Sequence, residues 1–277
     1  MLEFQLFRIK VYPPKQPKLF QQFKSPQEIL KEVIASLPSA ELRKDKIWHI
    51  GNLSYIDDNG LYFRCGRTTK STMEFYKDGN FIDTEFEVAP YTHVILDNLL
   101  EICAIAKKTK LASRIPDISK QLVRLLNESE YNKKHFQARF EISEINDPED
   151  FIVYIRRAYI VSKFWITFSK PNPWDVNSDF YKPMERLLDE TGGEKGKTEL
   201  IGQNLQTDKL EDLARTAAST GNEAVAWLQL EKNAPKVKKQ LKGNPVSLSY
   251  EDVADEEQRK GLLIKIRELY ERIKGNG

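Results

Sequence analysis

Five lysines and one glutamate fall within twelve residues, Glu231-Lys-Asn-Ala-Pro-Lys-Val-Lys-Lys-Gln-Leu-Lys242. A run of ammonium groups can follow a phosphate backbone, because each contact releases condensed counterions. Lys232, Lys236, Lys238, Lys239 and Lys242 are therefore the first candidates for contact with DNA or RNA. Pro235 and Gly243 mark the run as an exposed loop. A second basic series, Lys260, Arg267 and Lys274, recurs every seven residues on a helix read from about 255 to 274. Arg267 with Glu271, and Glu268 with Arg272, stand at i,i+4 spacing and also fit a solvated ion-pair face.

Other chemistry is thinly represented. Thr191-Gly-Gly-Glu-Lys-Gly-Lys-Thr198 ends like a phosphate-binding loop, but that loop needs a glycine where Thr191 stands. It must also lead from a strand into a helix, and here a helix precedes and a strand follows, so the segment reads as a turn. His49, His93 and His135 share no metal-ligand spacing with one another or with a cysteine. Asp57 and Asp58 beside Asn59-Gly60 read as turn residues. Asp175 and Asp179, in Pro173-Trp-Asp-Val-Asn-Ser-Asp179, have Trp174 alongside, and Ser178 or Asp179 suits a helix N-cap. Cys65 and Cys103 sit in apolar stretches and read as buried, reduced thiols. No catalytic, metal or cofactor constellation emerges, and the residues point to a non-enzymatic protein.

The whole chain has 43 basic and 41 acidic residues among 277. A split near residue 157 gives neither half a marked excess, so any nucleic-acid surface must come from local clustering. The first residues lack a basic segment followed by an apolar run. No apolar stretch approaches the ~18 residues of a membrane span. The expectation is a cytoplasmic protein without membrane insertion.

The elements that must hold these residues read as α+β. Residues 2–12 alternate as a strand, with a slip between Leu6 and Phe7. Ser25-Pro26 with Glu28 opens a helix. Strands 47–56 and 61–69 meet at Asn59-Gly60, and 72–77 and 81–88 meet at Asp78-Gly79. A third pair, 93–97 and 100–105, turns at Asp97-Asn98. This hairpin meander, with helices near 117–128 and 148–157 and a strand at 136–145, forms an antiparallel α+β unit over 1–157. From 158 to 277 the order is strand 159–168, helix 178–190, strand 197–202, helix 207–219 and strand 223–231. That order reads as a smaller α/β sandwich ending in the basic loop, a short strand and the long helix.

This second half resembles RexA-type phage-exclusion proteins and related bacterial antiviral accessory proteins. The resemblance rests on the strand ending Ile166-Thr-Phe-Ser-Lys-Pro171, the strand Ala224-Val-Ala-Trp-Leu-Gln-Leu230 running into a charged loop, and the strand-then-helix ending. It covers about 120 residues. It implies a DNA-binding protein of little sequence preference that acts with a partner in phage defence, with Lys236, Lys238, Lys239 and Lys242 on the family's basic loop. The near-neutral charge departs from that pattern. The alternative is a protein-interaction or scaffold subunit, homo-oligomeric or bound to a protein partner. A nuclease would require acidic residues gathered in a cleft.

Overall fold

The computed structural model describes residues 1–14, 24–170 and 180–275. The region of Trp174, Asp175, Ser178 and Asp179 lies outside them. The first part of the chain supplies strands β1 (Leu2–Tyr12), β2 (Ser39–Arg43), β3 (Lys46–Tyr55), β4 (Gly60–Lys77), β5 (Asn80–Val88), β6 (Tyr91–Asp97), β7 (Ile102–Ala106) and β8 (Arg139–Glu144). Helices α1 (Pro26–Ala35), α2 (Ile115–Glu128), α3 (Glu130–His135) and α4 (Glu149–Arg157) punctuate them. Then come β9 (Ile160–Ser169), α5 (Tyr181–Thr191), β10 (Lys195–Ile201), α6 (Thr207–Ser219), β11 (Ala224–Gln229), β12 (Val237–Gln240), β13 (Ser247–Tyr250) and α7 (Glu256–Lys274).

Two sheets result. The larger has nine strands, ordered β13-β1-β7-β6-β4-β3-β2, with β5 added to β4 and β8 to β1. The smaller runs β10-β9-β11-β12. All the strand pairings in both are antiparallel. The mixed α+β character read from the sequence is present, with the long helix last. In the smaller sheet, helices lie between strands in sequence, yet α5 joins the antiparallel neighbours β9 and β10, and α6 carries the chain from β10 across to β11 on the other side of β9.

The slip in β1 has a structural cause. Leu6 divides one edge of the strand: β13 pairs with Leu2–Gln5 and β8 with Phe7–Tyr12. Phe4 and Leu6 enter one core, and Phe7, Ile9 and Val11 enter another on the opposite face. The second core is covered by α1 and α2. The first is shared with β9, β11, α4, α6 and α7. β13 and α7, from the far side of residue 158, thus complete the large sheet and its cover.

Parity then forces two cations inward. Arg8 and Lys10 lie on the Phe4 and Leu6 face, at 0% and 5% exposure. The Arg8 guanidinium donates to the Ser219 carbonyl from Nε (3.1 Å) and Nη2 (2.9 Å). It also donates to the Leu100 carbonyl and the Tyr270 hydroxyl. One side chain therefore joins the β6–β7 turn, the end of α6 and the middle of α7.

Local signals in the sequence are met in detail. Ser25 and Glu28 form a reciprocal capping box on α1. Asp78 and Gly79 both take positive φ, as a tight hairpin turn needs. The turn at Asn59-Gly60 is built differently, because Asp57 Oδ1 accepts the N–H groups of both residues. Gly192, at φ +67°, ends α5 and residues 192–194 make the turn, whereas Gly196-Lys197-Thr198, read as part of that turn, lie within β10. Cys65 and Cys103 are buried, unbonded thiols.

Three readings change. Residues 72–77 are no separate strand but the outer part of the eighteen-residue β4, and with β5 they form an arm beyond the sheet. The centre of the lysine run is the strand β12, not loop. β2 and α3 carry too short a pattern to read. Among the described residues no helix is long and apolar enough to cross a membrane.

Replacing Arg8 with methionine leaves the Ser219 and Leu100 carbonyls without this donor, at about 1–3 kcal/mol each. Relief from burying a charge offsets part of that. A net loss of about 2–3 kcal/mol is expected in urea unfolding of Arg8→Met, against about 1 kcal/mol for Tyr270→Phe. Equal, negligible losses would show that Arg8 ties nothing together.

Candidate nucleic-acid interface

The basic residues singled out in the sequence separate into three places. Lys232 and Lys236 are exposed on the β11–β12 connection, and Lys242 is exposed beyond β12. Alternation along β12 sends Lys238 to the outer face of the small sheet. Lys239 goes to the other side, where its Nζ lies 3.8 Å from the Tyr154 ring centroid. Lys260, Arg267 and Lys274 lie on α7, which packs against α6 and β6, while β12 packs against β11 and α4. The two basic series do not converge. Arg267 donates to Asp97 (2.6 Å) and Asp57 (2.8 Å), and so fastens α7 to two turns of the meander. Its hydrogen bond is the main reason the Asp57 carboxyl is held below its usual range. Lys274 lies over the Tyr270 ring.

What sequence reasoning missed is the outer face of the small sheet. In β9, Phe164, Ile166 and Phe168 point inward, so Lys163, Trp165 and Thr167 point out. In β11, Ala224, Ala226 and Leu228 point inward and Trp227 points out. Val225 is opposite Trp165, and Lys163 is opposite Trp227. The two indoles are thus diagonal neighbours, about 7–8 Å apart at their backbones. Lys197 of β10 lies 4.0 Å from the Trp165 ring centroid. Lys238 of β12 and Lys163 lie 5.5 and 4.9 Å from that of Trp227. A row runs across all four strands: Lys197, Trp165, Trp227, Lys238. Glu199 pairs with Lys163 at 2.7 Å and leaves the two flanking lysines as the cations of the row. The signal was present in the alternation around each tryptophan. It needed the strand register to bring the two together.

Along the same face the small sheet approaches the large one. Between them is a cavity of ≈ 330 Å³ lined by Lys10, Glu141, Thr167, Ser169, Lys195 and Asn222, among others. Lys10 Nζ donates to Ser169 Oγ, and Ser169 Oγ in turn donates to Asn222 Oδ1 at 3.1 Å. Burial, with Arg8 and Lys195 nearby, pushes the Lys10 amine down to about 7. Burial pushes the Glu141 carboxyl up, but the Tyr12 hydroxyl, Lys195 and Arg139 outweigh it and hold it below its usual range. Gly221, at φ +65°, lets the end of α6 close over β8, since a Cβ there would meet Ser143 Oγ at 2.0 Å.

A serine beside a lysine of lowered basicity is also the pairing of a nucleophile and its base. Acyl transfer would further need backbone N–H groups free to hold an oxyanion. The nearest amides are engaged: Gly221 with Ala218, Asn222 with Ala217, and Glu223 with Thr167 Oγ1. His49 and His93 are part-buried and hydrogen-bonded, to Ser39 and Thr68 and to Tyr62 respectively. Among the described residues no three His, Cys, Asp or Glu side chains gather as a metal site.

No protein-family model matches the chain, and no curated protein matches it. The fold and the face define an α+β protein with an aromatic and basic sheet surface.

Lys10 makes stability depend on pH. The unfolded chain keeps this proton to about 10.5, whereas the folded protein releases it near 7. Between those values the unfolded state binds more protons, so stability rises with pH. The thiols act oppositely. Unfolded they ionise near 9, while burial pushes folded Cys65 up to about 12 and Cys103 up as well, so stability falls above pH 9. Urea unfolding should give a maximum near pH 9, about 2 kcal/mol above pH 7. Lys10→Met should lose the rise and keep the fall. A wild-type curve flat from pH 7 to 9 would contradict the buried amine.

Proposed function

We propose that this protein binds single-stranded nucleic acid on the outer face of its small sheet, with little sequence preference. The observation that carries this is the Lys197, Trp165, Trp227, Lys238 row. Two indoles offer surfaces on which unpaired bases stack, and each flanking ammonium can meet a phosphate. A duplex hides its base faces, so the row favours single strands. Lys232 and Lys236 extend the positive field beyond one end. The resemblance of the second half to RexA-type proteins supports a role as a non-enzymatic component of a bacterial phage-defence system.

Fluorescence anisotropy with labelled single-stranded DNA, RNA and duplex DNA across a salt series tests this. Micromolar binding of single strands, weakening steeply with salt, is expected. Trp165→Ala and Trp227→Ala should each cost about 1–3 kcal/mol. Lys197→Glu and Lys238→Glu should each reduce the salt slope by about 1. No binding at low salt would end the proposal. A phage-plating assay in bacteria expressing the wild type or the tryptophan variants tests the defence role.

A second reading, a scaffold that self-associates or holds a protein partner, is favoured by the β4–β5 arm. One face of the arm carries Met73, Phe75, Ile82, Phe86 and Val88, with Phe75 directly opposite Ile82. The other carries Lys70, Glu74, Asp83, Glu85 and Glu87, with the exposed Tyr76 and Phe81 rings paired at its tip. Two-stranded hairpins are marginal alone in water, and Met73, Phe75 and Ile82 are over 40% exposed. Sedimentation equilibrium should then show association that Phe75→Glu abolishes. A monomer at all concentrations that also captures no partner would remove this reading.

A further inference from the structure

We propose that the cavity between the two sheets, closed at its inner end by Lys10, binds a phosphomonoester group. The group is either the terminal phosphate of a strand lying on the tryptophan row or that of a small ligand such as a mononucleotide. The first source rests on the nucleic-acid reading. The second does not.

The chemistry of the lining is that of an anion site. Lys10 is 5% exposed and is one of the residues that line the cavity. An ammonium has three donors, yet among the described residues Ser169 Oγ is the one acceptor of its hydrogen bonds. Arg8 lies two residues away on the same strand face, fully buried. Lys195 reaches the cavity from β10 and is exposed at its rim. Beside Lys10, Ser169 gives its hydroxyl proton to Asn222 Oδ1, and Asn222 Nδ2 gives one N–H to Thr220 Oγ1 at 2.8 Å and keeps a second for a phosphate oxygen. Two carboxylates also line the space. Glu141 is engaged by Tyr12 at 3.0 Å, by Arg139 at 2.5 Å and by Lys195 at 3.4 Å. Glu223 is exposed, at the open side.

Burying an amine among other cations is costly unless something compensates it. A methionine would fill the same volume without that cost. A bound dianion supplies the compensation, accepts the remaining Nζ donors and returns Lys10 to its charged form. The volume, ≈ 330 Å³, is at the lower end of ordinary ligand pockets and leaves room beyond a phosphate for part of a nucleoside.

Position links the cavity to the row. Thr167, in the lining, is two residues from Trp165 along β9, about 7 Å. Lys195, in the lining, is likewise two residues from Lys197. A strand stacked on the tryptophans can therefore run its end toward Lys10.

Isothermal titration of the full chain with inorganic phosphate and with adenosine 5′-monophosphate, at pH 7 in low chloride, tests the site. Wild type should bind both, Lys10→Met at least tenfold more weakly, and Lys195→Ala severalfold more weakly. Trp165→Ala and Trp227→Ala should leave phosphate binding unchanged. A tenfold preference for phosphorylated over hydroxyl-ended oligonucleotides, lost in Lys10→Met, assigns the strand end as the source. Equal binding of the two oligonucleotides, with monophosphate binding retained, assigns the small ligand. Monophosphate binding that depends on Lys10, in a protein that binds no oligonucleotide, upholds the cavity and removes the tryptophan row. Should Lys10→Met fail to fold by circular dichroism, Lys195→Ala and Ser169→Ala carry the comparison. Wild type that binds neither phosphate nor monophosphate and ignores strand ends overturns the proposal, as does undiminished binding in the variants.

Discussion

A strand buried on both faces cannot place a charged side chain anywhere but inside. That constraint governs this molecule, because β1 is an interior strand of the large sheet, covered on both faces, and carries Arg8 and Lys10. Arg8 is accommodated by converting it into a junction. Two carbonyls and a hydroxyl from segments 92 to 262 residues away in sequence converge on one guanidinium. The fork of donors on arginine suits this, where lysine would offer a point charge without direction. The cover of the large sheet, from α6 to α7, is thereby registered to the strand beneath it.

Lys10, one pleat further along, is accommodated differently. The apolar seam formed by Phe4 and Leu6 ends at Arg8, and beyond it the two sheets meet through polar groups and leave a cavity. The same seam fixes the small sheet with its helices inward, so that its other face is turned out. The row of indoles and ammonium groups follows from that orientation. β12, at the edge of this sheet, carries lysines that also blunt it against pairing with another chain. Edge protection and phosphate contact ask for the same residue, and Lys238 can serve both.

Much of the frame was legible. The Ser25 and Glu28 cap, the Asp78-Gly79 turn and the strand-helix order after residue 158 are local, and local chemistry is what a sequence displays. The cavity was not. Alternation in β1 tells which residues share a face, but not that both faces are covered, so nothing in the pattern marks Arg8 and Lys10 as buried. The lysine run was judged by composition, although Val237 within it marks an inward position and therefore a strand. Trp165 and Trp227 are 62 residues apart, and only the β9–β11 register makes them neighbours. Arg267 read as a surface residue because its partners, Asp57 and Asp97, lie in turns far earlier in the chain.

The division of one edge of β1 between β8 and β13 also bears on the order in which the protein can be made. β1 leaves the ribosome more than two hundred residues before β13 is synthesised. At roughly 5–20 residues per second the wait is about 10–50 s. Throughout it Leu2–Gln5 present an open hydrogen-bonding edge, and the Ser219 carbonyl and Tyr270 hydroxyl that hold Arg8 do not yet exist. The nascent chain therefore carries a strand buried on both faces incomplete until translation is nearly over.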